Sequence, residues 1–340
     1  MSKVLRYAKF AEETEFNVDP APDPEITVDI ASSTIDVPTD TQAIWEGGIG
    51  RGPRQHRPAY YTTSGNVVVP VDVHTVGWFL KWALGGYVFT EDTPDAGVNL
   101  HEFYGGTDLE LPPFTTWLGK DVWEQIVRGC MVSQLQLQVS DGYAQITLNL
   151  LGGKDSKGSL DDDVLGQLPD APPITFPQMK FFVGGTGESD EESSKITDLT
   201  LTVNNNGDAA AARGLGSRYP QRRIPAGQRD TTVAFTSYYD STDHIERVWG
   251  NTSGPSDDGS TELELHIEAD DGDDGKLTIE LPRTIFTGVQ AQPSGRSRIN
   301  MQVDATAMLD DVSLEDDSDV DTEIYVRLEN DRDELEAVAA

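Results

Sequence analysis

Alternation of apolar and polar residues with a period of two runs through most of the chain and constrains its fold more than any other feature. In residues 134–139 leucine and valine alternate with glutamine, and the alternation resumes in residues 146–150 after an Asp-Gly turn. Because successive side chains of a strand point to opposite faces, each run predicts a strand with one buried face. The same period recurs in residues 26–30, 199–203, 263–267, 277–281 and 299–303. Glycine-rich turns separate the runs, so we expect a mainly β fold of the antiparallel sandwich or barrel type.

Two segments instead carry the spacing of a helix. Residues 74–86 place apolar side chains on one helical face and finish on two glycines, which can end a helix. In residues 240–250, Ser241 or Thr242 can serve as the N-cap and Gly250 as the stop. The predicted apolar stripe of this second helix consists of Ile245, Val248 and Trp249.

The two predicted helices occupy corresponding places in a weak internal repeat. The segments that begin at Gly48 and Gly214 both start with Gly-aliphatic-Gly and continue as an Arg- and Pro-rich loop. A β run and a short helix containing Trp82 or Trp249 follow in each. Matching strands precede the loops and matching hairpins follow the helices, at residues 129–151 and 287–309. This shared order predicts two tandem β units, each with one short helix.

The repeat sets the domain boundaries that we expect. The five predicted segments are an N-terminal arm (1–24), a first β unit (25–155), a linker with an acidic loop (156–194), a second β unit (195–309) and an acidic C-terminal tail (310–340). The linker begins and ends in polar, glycine-rich sequence, which is typical of a mobile connection. The tail contains one further strand-like run at residues 324–328.

The chain carries 59 acidic and 25 basic side chains, for a formal net charge of −34. Such a surface repels a nucleic-acid backbone and repels itself at low ionic strength. In about 1 M salt the Debye length falls to about 3 Å, so this composition favours a protein of a salt-loving host. Cys130, the one cysteine, lies in an apolar run and is expected in the core. No apolar run approaches the roughly 18 residues of a membrane span, and no signal sequence is visible.

Catalytic and metal-binding motifs are absent from the sequence. The five histidines lack the spacing of a metal site, and there is no nucleophile elbow or P-loop. GGIGRG from Gly47 lacks the βαβ context of a dinucleotide site, and DDGDDG from Asp270 reads better as a solvated hairpin turn. We therefore predict a protein that is not an enzyme and that uses no cofactor or metal.

Arginines cluster in the two long loops. They are Arg51, Arg54 and Arg57 in the first loop, and Arg213, Arg218, Arg222, Arg223 and Arg229 in the second. Guanidinium groups pair with carboxylates in two-point hydrogen bonds, so clusters of them in an acidic chain predict contacts with acidic surfaces. Docking onto a neighbouring subunit is the favoured interpretation, and pairing within the same chain is the alternative.

The layout of these elements resembles that of the major tail tube proteins of long-tailed, siphovirus-like viruses. The resemblance rests on the arm, the long loop, the helix on a β-sandwich and the closing hairpin in GCMVSQLQLQVSDG. ITDLTLTVNNNG, followed by GLG and a basic loop, is similar to the second half of large phage tail tube proteins. Most of residues 25–309 is covered, although the acidic surface departs from the family.

The resemblance implies a structural virion protein, located in the tail and assembled in the host cytoplasm. Its subunits would form rings around a shared β-barrel, and the rings would stack into a tube that conducts viral DNA without binding it specifically. The duplication favours trimeric, pseudo-hexameric rings, with a homohexamer as the alternative. The implied partners are further copies of the chain, tail terminator and tail tip proteins, and a tape measure protein in the lumen. A halophilic archaeon is the host that the composition favours.

Three other functions compete with this one. The inner tube protein of a contractile injection device shares the fold. A virion surface or adhesion β-protein would bind rather than conduct, and would form no tubes. A secreted halophilic hydrolase would need an export signal and a convergent catalytic site, and the sequence displays neither.

Overall fold

The computed structural model describes residues 5–18, 21, 23–37, 42–45, 55–257, 259–272, 274–293 and 298–335. Across these residues it contains 21 strands and two α-helices, so the predicted mainly β fold is confirmed. The helices are α1 (Val76–Leu84) and α2 (Asp243–Trp249), with short 3₁₀ turns at Val164–Gln167, Phe176–Gln178 and Ser193–Lys195. The strands are β1 (Tyr7–Glu12), β2 (Ile26–Asp29), β3 (Ser32–Ser33), β4 (Gln42–Trp45), β5 (Gln55–Pro58), β6 (Thr63–Pro70), β7 (Gly85–Thr90), β8 (Asn99–Gly105), β9 (Phe114–Gly119), β10 (Glu124–Val139), β11 (Gln145–Gly152), β12 (Lys154–Gly158), β13 (Met179–Val183), β14 (Ile196–Asn204), β15 (Asp230–Tyr238), β16 (Glu262–Asp270), β17 (Lys276–Gln290), β18 (Asn300–Met308), β19 (Asp310–Ser313), β20 (Asp319–Thr322) and β21 (Tyr325–Asn330).

Both helices end where the sequence predicts. Gly85 and Gly250 follow the last helical residues with φ of 86° and 65°, a left-handed conformation that glycine adopts without strain. In α1 every residue except Lys81 is buried, as its apolar face predicts. In α2 the predicted stripe is only partly correct, because Trp249 is exposed and His244 is the fully buried side chain. The remaining members of that stripe, Ile245 and Val248, pack half-buried against the core.

Eight strands form one continuous antiparallel ribbon. Its order is β3–β6–β11–β10–β14–β15–β18–β17. One face of the ribbon is apolar and buried, and the other is polar, as the period-two alternation predicts. We call these eight strands the ribbon.

Two back sheets cover the buried face of the ribbon. The first has the order β2–β1–β9–β10–β12, and the second has the order β13–β16–β17–β21–β8–β7. The long strands β10 and β17 belong both to the ribbon and to a back sheet. Each changes sheets near an irregularity in its pairing, between Val127 and Cys130 in β10 and between Phe286 and Gly288 in β17.

The internal repeat has a spatial counterpart in these sheets. In the first half β6 pairs with β11, which pairs with β10; in the second half β15 pairs with β18, which pairs with β17. The halves are joined, because Gln134–Val139 of β10 pair with β14 of the second half. A single buried cluster accordingly contains side chains of both halves, from Phe10 to Val326.

The C-terminal segment also joins the halves. Strand β21 lies between β8 of the first half and β17 of the second. Beyond it, the Leu335 carbonyl accepts a hydrogen bond from Lys81 Nζ at 2.6 Å, and the Leu335 amide donates to the Tyr87 hydroxyl at 3.0 Å. Leu335 itself is buried and belongs to the main core. The segment predicted to be an acidic tail is therefore an integral part of the fold.

Candidate functional site

The polar face of the ribbon runs across all eight of its strands. Directly opposed residues on successive strands place their side chains on the same face, so the pairing register defines rows across the sheet. One such row consists of Ser32, Val68, Thr147, Gln136, Thr202, Thr232 and Thr306. A second consists of Pro70, Gln145, Gln138, Thr200, Ala234 and Asp304.

This face has a composition unlike the rest of the chain. Its other positions on β6, β11, β10, β14, β15 and β18 are Ser64, Asn66, Leu151, Asn149, Met131, Gln134, Asn204, Asp198, Asp230, Thr236, Tyr238, Asn300, Gln302 and Met308. The carboxylates among these positions are those of Asp198, Asp230 and Asp304. On β17, Arg283 lies opposite Met308 and forms a 2.7 Å ion pair with Glu262. Amides and hydroxyls therefore dominate the face, and the arginine that β17 adds is already bound to a carboxylate.

Side chains on the polar face are also tied to one another between strands. Asn149 Nδ2 donates to Gln134 Oε1 at 2.6 Å across β11 and β10. The Thr236 hydroxyl donates to Asp198 Oδ1 at 3.0 Å across β15 and β14. These bonds join side chains of neighbouring strands across the polar face.

The ribbon has two open edges. Beyond Ile285, strand β17 pairs with β18 on one side and has no ladder partner on the other within the described residues. At the opposite end of the ribbon, β3 pairs with β6 alone in the described part of the chain. A groove of about 590 Å³ runs beside β3, lined by residues 30–36 and 118–121. Unpaired backbone of this kind is ready to accept another strand.

The second arginine loop, residues 205–229, packs against the start of the first unit. Arg213 lies over the ring of Tyr60, 4.1 Å from its centroid. Arg218 Nε donates to the carbonyl of Ala59 at 3.0 Å, and the Tyr61 amide donates to the Arg218 carbonyl at 2.7 Å. These contacts are with an aromatic ring and backbone groups of the same chain.

The other predicted interface arginines differ in position. Arg222 is exposed, and its Nε donates to the Ala211 carbonyl at 3.1 Å within the loop. Arg223 is half-buried, and Arg57 is exposed on β5. Arg51 and Arg54 lie outside the described residues. An intersubunit role for this group stays a prediction.

Arg229 is enclosed by its own chain. Its guanidinium forms a 3.3 Å ion pair with Glu323, whose side chain is as buried as its own. It also donates to the carbonyls of Leu84 and Gly106, each at 3.0 Å, and to Asn205 Oδ1 at 3.1 Å. Arg229 thus links both units to the C-terminal segment, and any intersubunit role would come in addition to these contacts.

A buried charge cluster beside α2 has no motif in the sequence. Glu192 Oε1 accepts a hydrogen bond from Arg247 Nη1 at 3.0 Å, and Glu192 Oε2 lies 3.0 Å from His244 Nε2. Burial by itself would raise the pKa of Glu192, but the bonds and charges of His244 and Arg247 lower it to about 2. Glu192 comes from the predicted linker, so the cluster fastens that segment to the second unit.

The described residues contain no group of three or more histidine, cysteine or acidic side chains arranged to hold a metal ion. Cys130 is buried, as predicted, and burial raises the pKa of its thiol. Neither described helix has the length and apolarity to cross a membrane.

The described part of the chain is mainly β, with a polar sheet face and an unpaired strand edge at each end of the ribbon. In a comparison with family models, the model of the phage tail tube protein family matches residues 5–311. The match covers nearly the whole chain, and the chain therefore belongs to that family. It is a structural component of a viral tail. No curated protein matches the chain.

The signal for the polar face was present in the sequence, in the glutamine and threonine positions of the period-two runs. The open edges and the Glu192 cluster had no such signal, because both depend on which distant segments pair.

Proposed function

We propose that three copies of this chain close into a ring, and that the rings stack into a tube that conducts viral DNA. The observation that carries the proposal is the eight-stranded ribbon, which has one unpaired edge at each end among the residues that the structure describes. Closure through repeated heterologous contacts removes both edges from every copy at once.

The junction inside the chain indicates how copies would join. Residues 134–139 of β10 precede the hairpin to β11 and accept β14 on their free side. The end of β17 precedes the corresponding hairpin to β18, but its free side is empty in the described chain. In the first half β3 pairs with β6, just as β14 pairs with β15 in the second half, so β3 and β14 occupy corresponding places in the ribbon. We therefore expect β17 of one copy to pair with the β3 edge of the next.

The stoichiometry follows from the same repeat. One chain supplies eight strands in two similar halves, so a ring of three copies contains twenty-four strands and six similar positions. A ring of six full chains is the alternative, and cryo-electron microscopy of the tube distinguishes the two by counting chains.

The polar face of the ribbon would then line the lumen. Neutral amides and hydroxyls dominate this face, Arg283 on β17 is bound to Glu262, and the aspartates repel the phosphate backbone weakly. DNA would slide past such a wall without being held. Tail terminator, tail tip and tape measure proteins would contact the ends and lumen of the same tube.

The acidic surface supports the further proposal of a salt-loving, archaeal host. With a net charge of −34, copies repel one another unless salt screens them. We expect tubes to form in molar salt and to be rarer in about 0.1 M salt, where the Debye length is about 10 Å. Equal assembly in both conditions would contradict the halophilic assignment.

Ring closure is tested by Val37→Asp in the full-length chain. Val37 is 53% exposed and directly follows Asp36, which lines the end of the groove beside β3, so a charge there should leave the monomer folded and hinder strand addition. Leu165→Asp is the control, because Leu165 is 80% exposed on a 3₁₀ turn outside the ribbon. Negative-stain micrographs should show rings and tubes for the wild type and the control only. Tubes of Val37→Asp would refute the edge contact, and a wild type that never forms tubes would favour a virion surface protein instead.

A further inference from the structure

Leu215 is the most exposed large apolar side chain in the described protein. It stands at the tip of the second arginine loop, between Gly214 and Gly216. Gly216 has φ of 88°, a left-handed conformation that a side chain would strain. The turn that presents Leu215 therefore depends on glycine, and the first loop carries the same Gly-aliphatic-Gly sequence at residues 48–50.

The loop beneath this tip is well anchored. Ile224 and Ala212 are buried in a small apolar cluster with Leu111 and Met131. The hydroxyl of Tyr60 donates to the Ala209 carbonyl at 2.9 Å on one side of the loop. Because the base of the loop is fixed, the exposure of Leu215 is a property of the fold rather than of a loose segment.

An apolar groove lies at the opposite end of the ribbon. It has a volume of about 310 Å³, large enough for a leucine side chain. Its apolar lining comes from Val139, Phe176, Pro177, Met179, Phe181, Ile196 and Leu199.

Strand β14 runs from the groove to the arginine loop that carries Leu215, and its length sets the distance between them. It begins at Ile196 beside the groove and ends at Asn204, where the arginine loop starts. Its nine residues span about 26 Å at about 3.3 Å per residue. Leu215 therefore cannot reach the groove of its own chain, but it can reach the groove of a copy stacked in the same orientation.

The charges of the two ends are complementary. Residues 209–229 contain five arginines and no acidic side chain. The groove is bordered by Glu191, and Glu188 and Asp190 precede it in the acidic loop. Lys180 also lines the groove, so its border is mixed but mainly acidic. Opposite charges at the two ends favour head-to-tail contact over head-to-head contact.

We propose that Leu215 of one chain inserts into the groove between Val139 and Phe176 of a second copy in the adjacent ring. This inference rests on the proposed tube, and it names the contact that stacks one ring on the next. The arginines around Leu215 then face the acidic loop of the copy that receives it.

The first test is Leu215→Ala, with Leu165→Ala as the matched control because Leu165 is also strongly exposed. Leu215→Ala should melt like the wild type and still form rings. Loss of a buried leucine side chain should lower the association constant of each contact about tenfold, so tubes should be shorter and need more protein. Tube length in negative-stain micrographs is the measurement. Tubes of normal length would overturn the inference, whereas a wild type without tubes would instead refute the proposed function.

The second test is a cross-link between Leu215→Cys and Ser194→Cys in one chain. Ser194 lies on the exposed lining of the groove, and a disulfide requires Cα atoms within about 7 Å. The separation along β14 excludes a bond within one chain, and the native Cys130 is buried. Oxidised tubes should yield a ladder of covalent multimers in a denaturing gel, and each single variant should not. Tubes that form but give no ladder would show that Leu215 contacts another surface.

Discussion

The two β units share an order of elements but hold their helices in place by different means. In the first unit Trp82 of α1 is fully buried and stacks on Phe114 at 4.6 Å, beside Phe10 of the N-terminal strand. In the second unit α2 buries His244, which Glu192 and Arg247 surround with charge. Equivalent positions of a repeat thus need not contribute equally to stability. What decides the contribution is the segment that packs on each helix, the arm in one unit and the linker in the other.

The largest expected difference between the units comes from their matching tryptophans. Trp82→Ala should destabilise the protein by about 3–5 kcal/mol, because it empties a buried aromatic site. Trp249→Ala should cost less, about 1–2 kcal/mol, since Trp249 is 38% exposed and loses less buried area. Urea unfolding of both variants checks the contrast. Similar losses would mean that α2 is packed as tightly as α1.

A second prediction concerns Arg229→Ala in the second arginine loop. Removing this guanidinium leaves Glu323 buried without its cation. It also leaves the carbonyls of Leu84 and Gly106 without the hydrogen-bond donor that Arg229 provides. We expect a loss of about 3 kcal/mol in the free energy of unfolding. Chemical denaturation is the measurement. A loss below about 1 kcal/mol would show that the junction between the units does not depend on Arg229.

A third prediction concerns pH and the buried carboxylates Glu192 and Glu13. The pKa of Glu192 is lowered to about 2, so its contribution to stability is present above its unfolded pKa and lost as pH falls toward 2. Burial raises the pKa of Glu13, against hydrogen bonds from Thr115 and the Gly129 amide. The contribution of Glu13 is therefore present below its unfolded pKa and lost as pH rises through the folded value.

Glu192→Gln should consequently cost about 3 kcal/mol at pH 7 and progressively less as the pH falls below about 4. The control is Glu13→Gln, whose cost should not shrink in that direction. Denaturation at pH 7 and pH 3 separates the two. A cost for Glu192→Gln that is the same at both pH values would show that the ion cluster does not stabilise α2.

The smallest effect on folding is expected for Arg223→Glu. Arg223 is only half-buried, so the free energy of unfolding should change by about 0.5 kcal/mol or less. Tube formation should nevertheless fall, because the reversed charge meets the acidic loop of the next ring. Sedimentation of assembled tubes measures this. A variant that unfolds would instead assign Arg223 to its own domain, and unchanged assembly would remove it from the interface.

Local patterns in the sequence were enough for the element types and for much of the functional surface. Period-two runs identified the ribbon strands, glycines identified the ends of both helices, and the glutamines of residues 134–138 marked the polar face. These features depend on neighbouring residues along the chain, where backbone geometry is fixed by side chains a few positions apart.

Only the tertiary structure decided how the halves are joined. The pairing of β10 with β14, the insertion of β21 between β8 and β17, and the burial of Arg229 against Glu323 all connect segments that are distant in sequence. Any alternating strand can pair with any other, so local pattern cannot select the partner. The strand pairing is instead selected by the shared core and by a few charged groups. Arg229 is one of these, because its ion-pair and hydrogen-bond partners come together when the two halves are joined in this way.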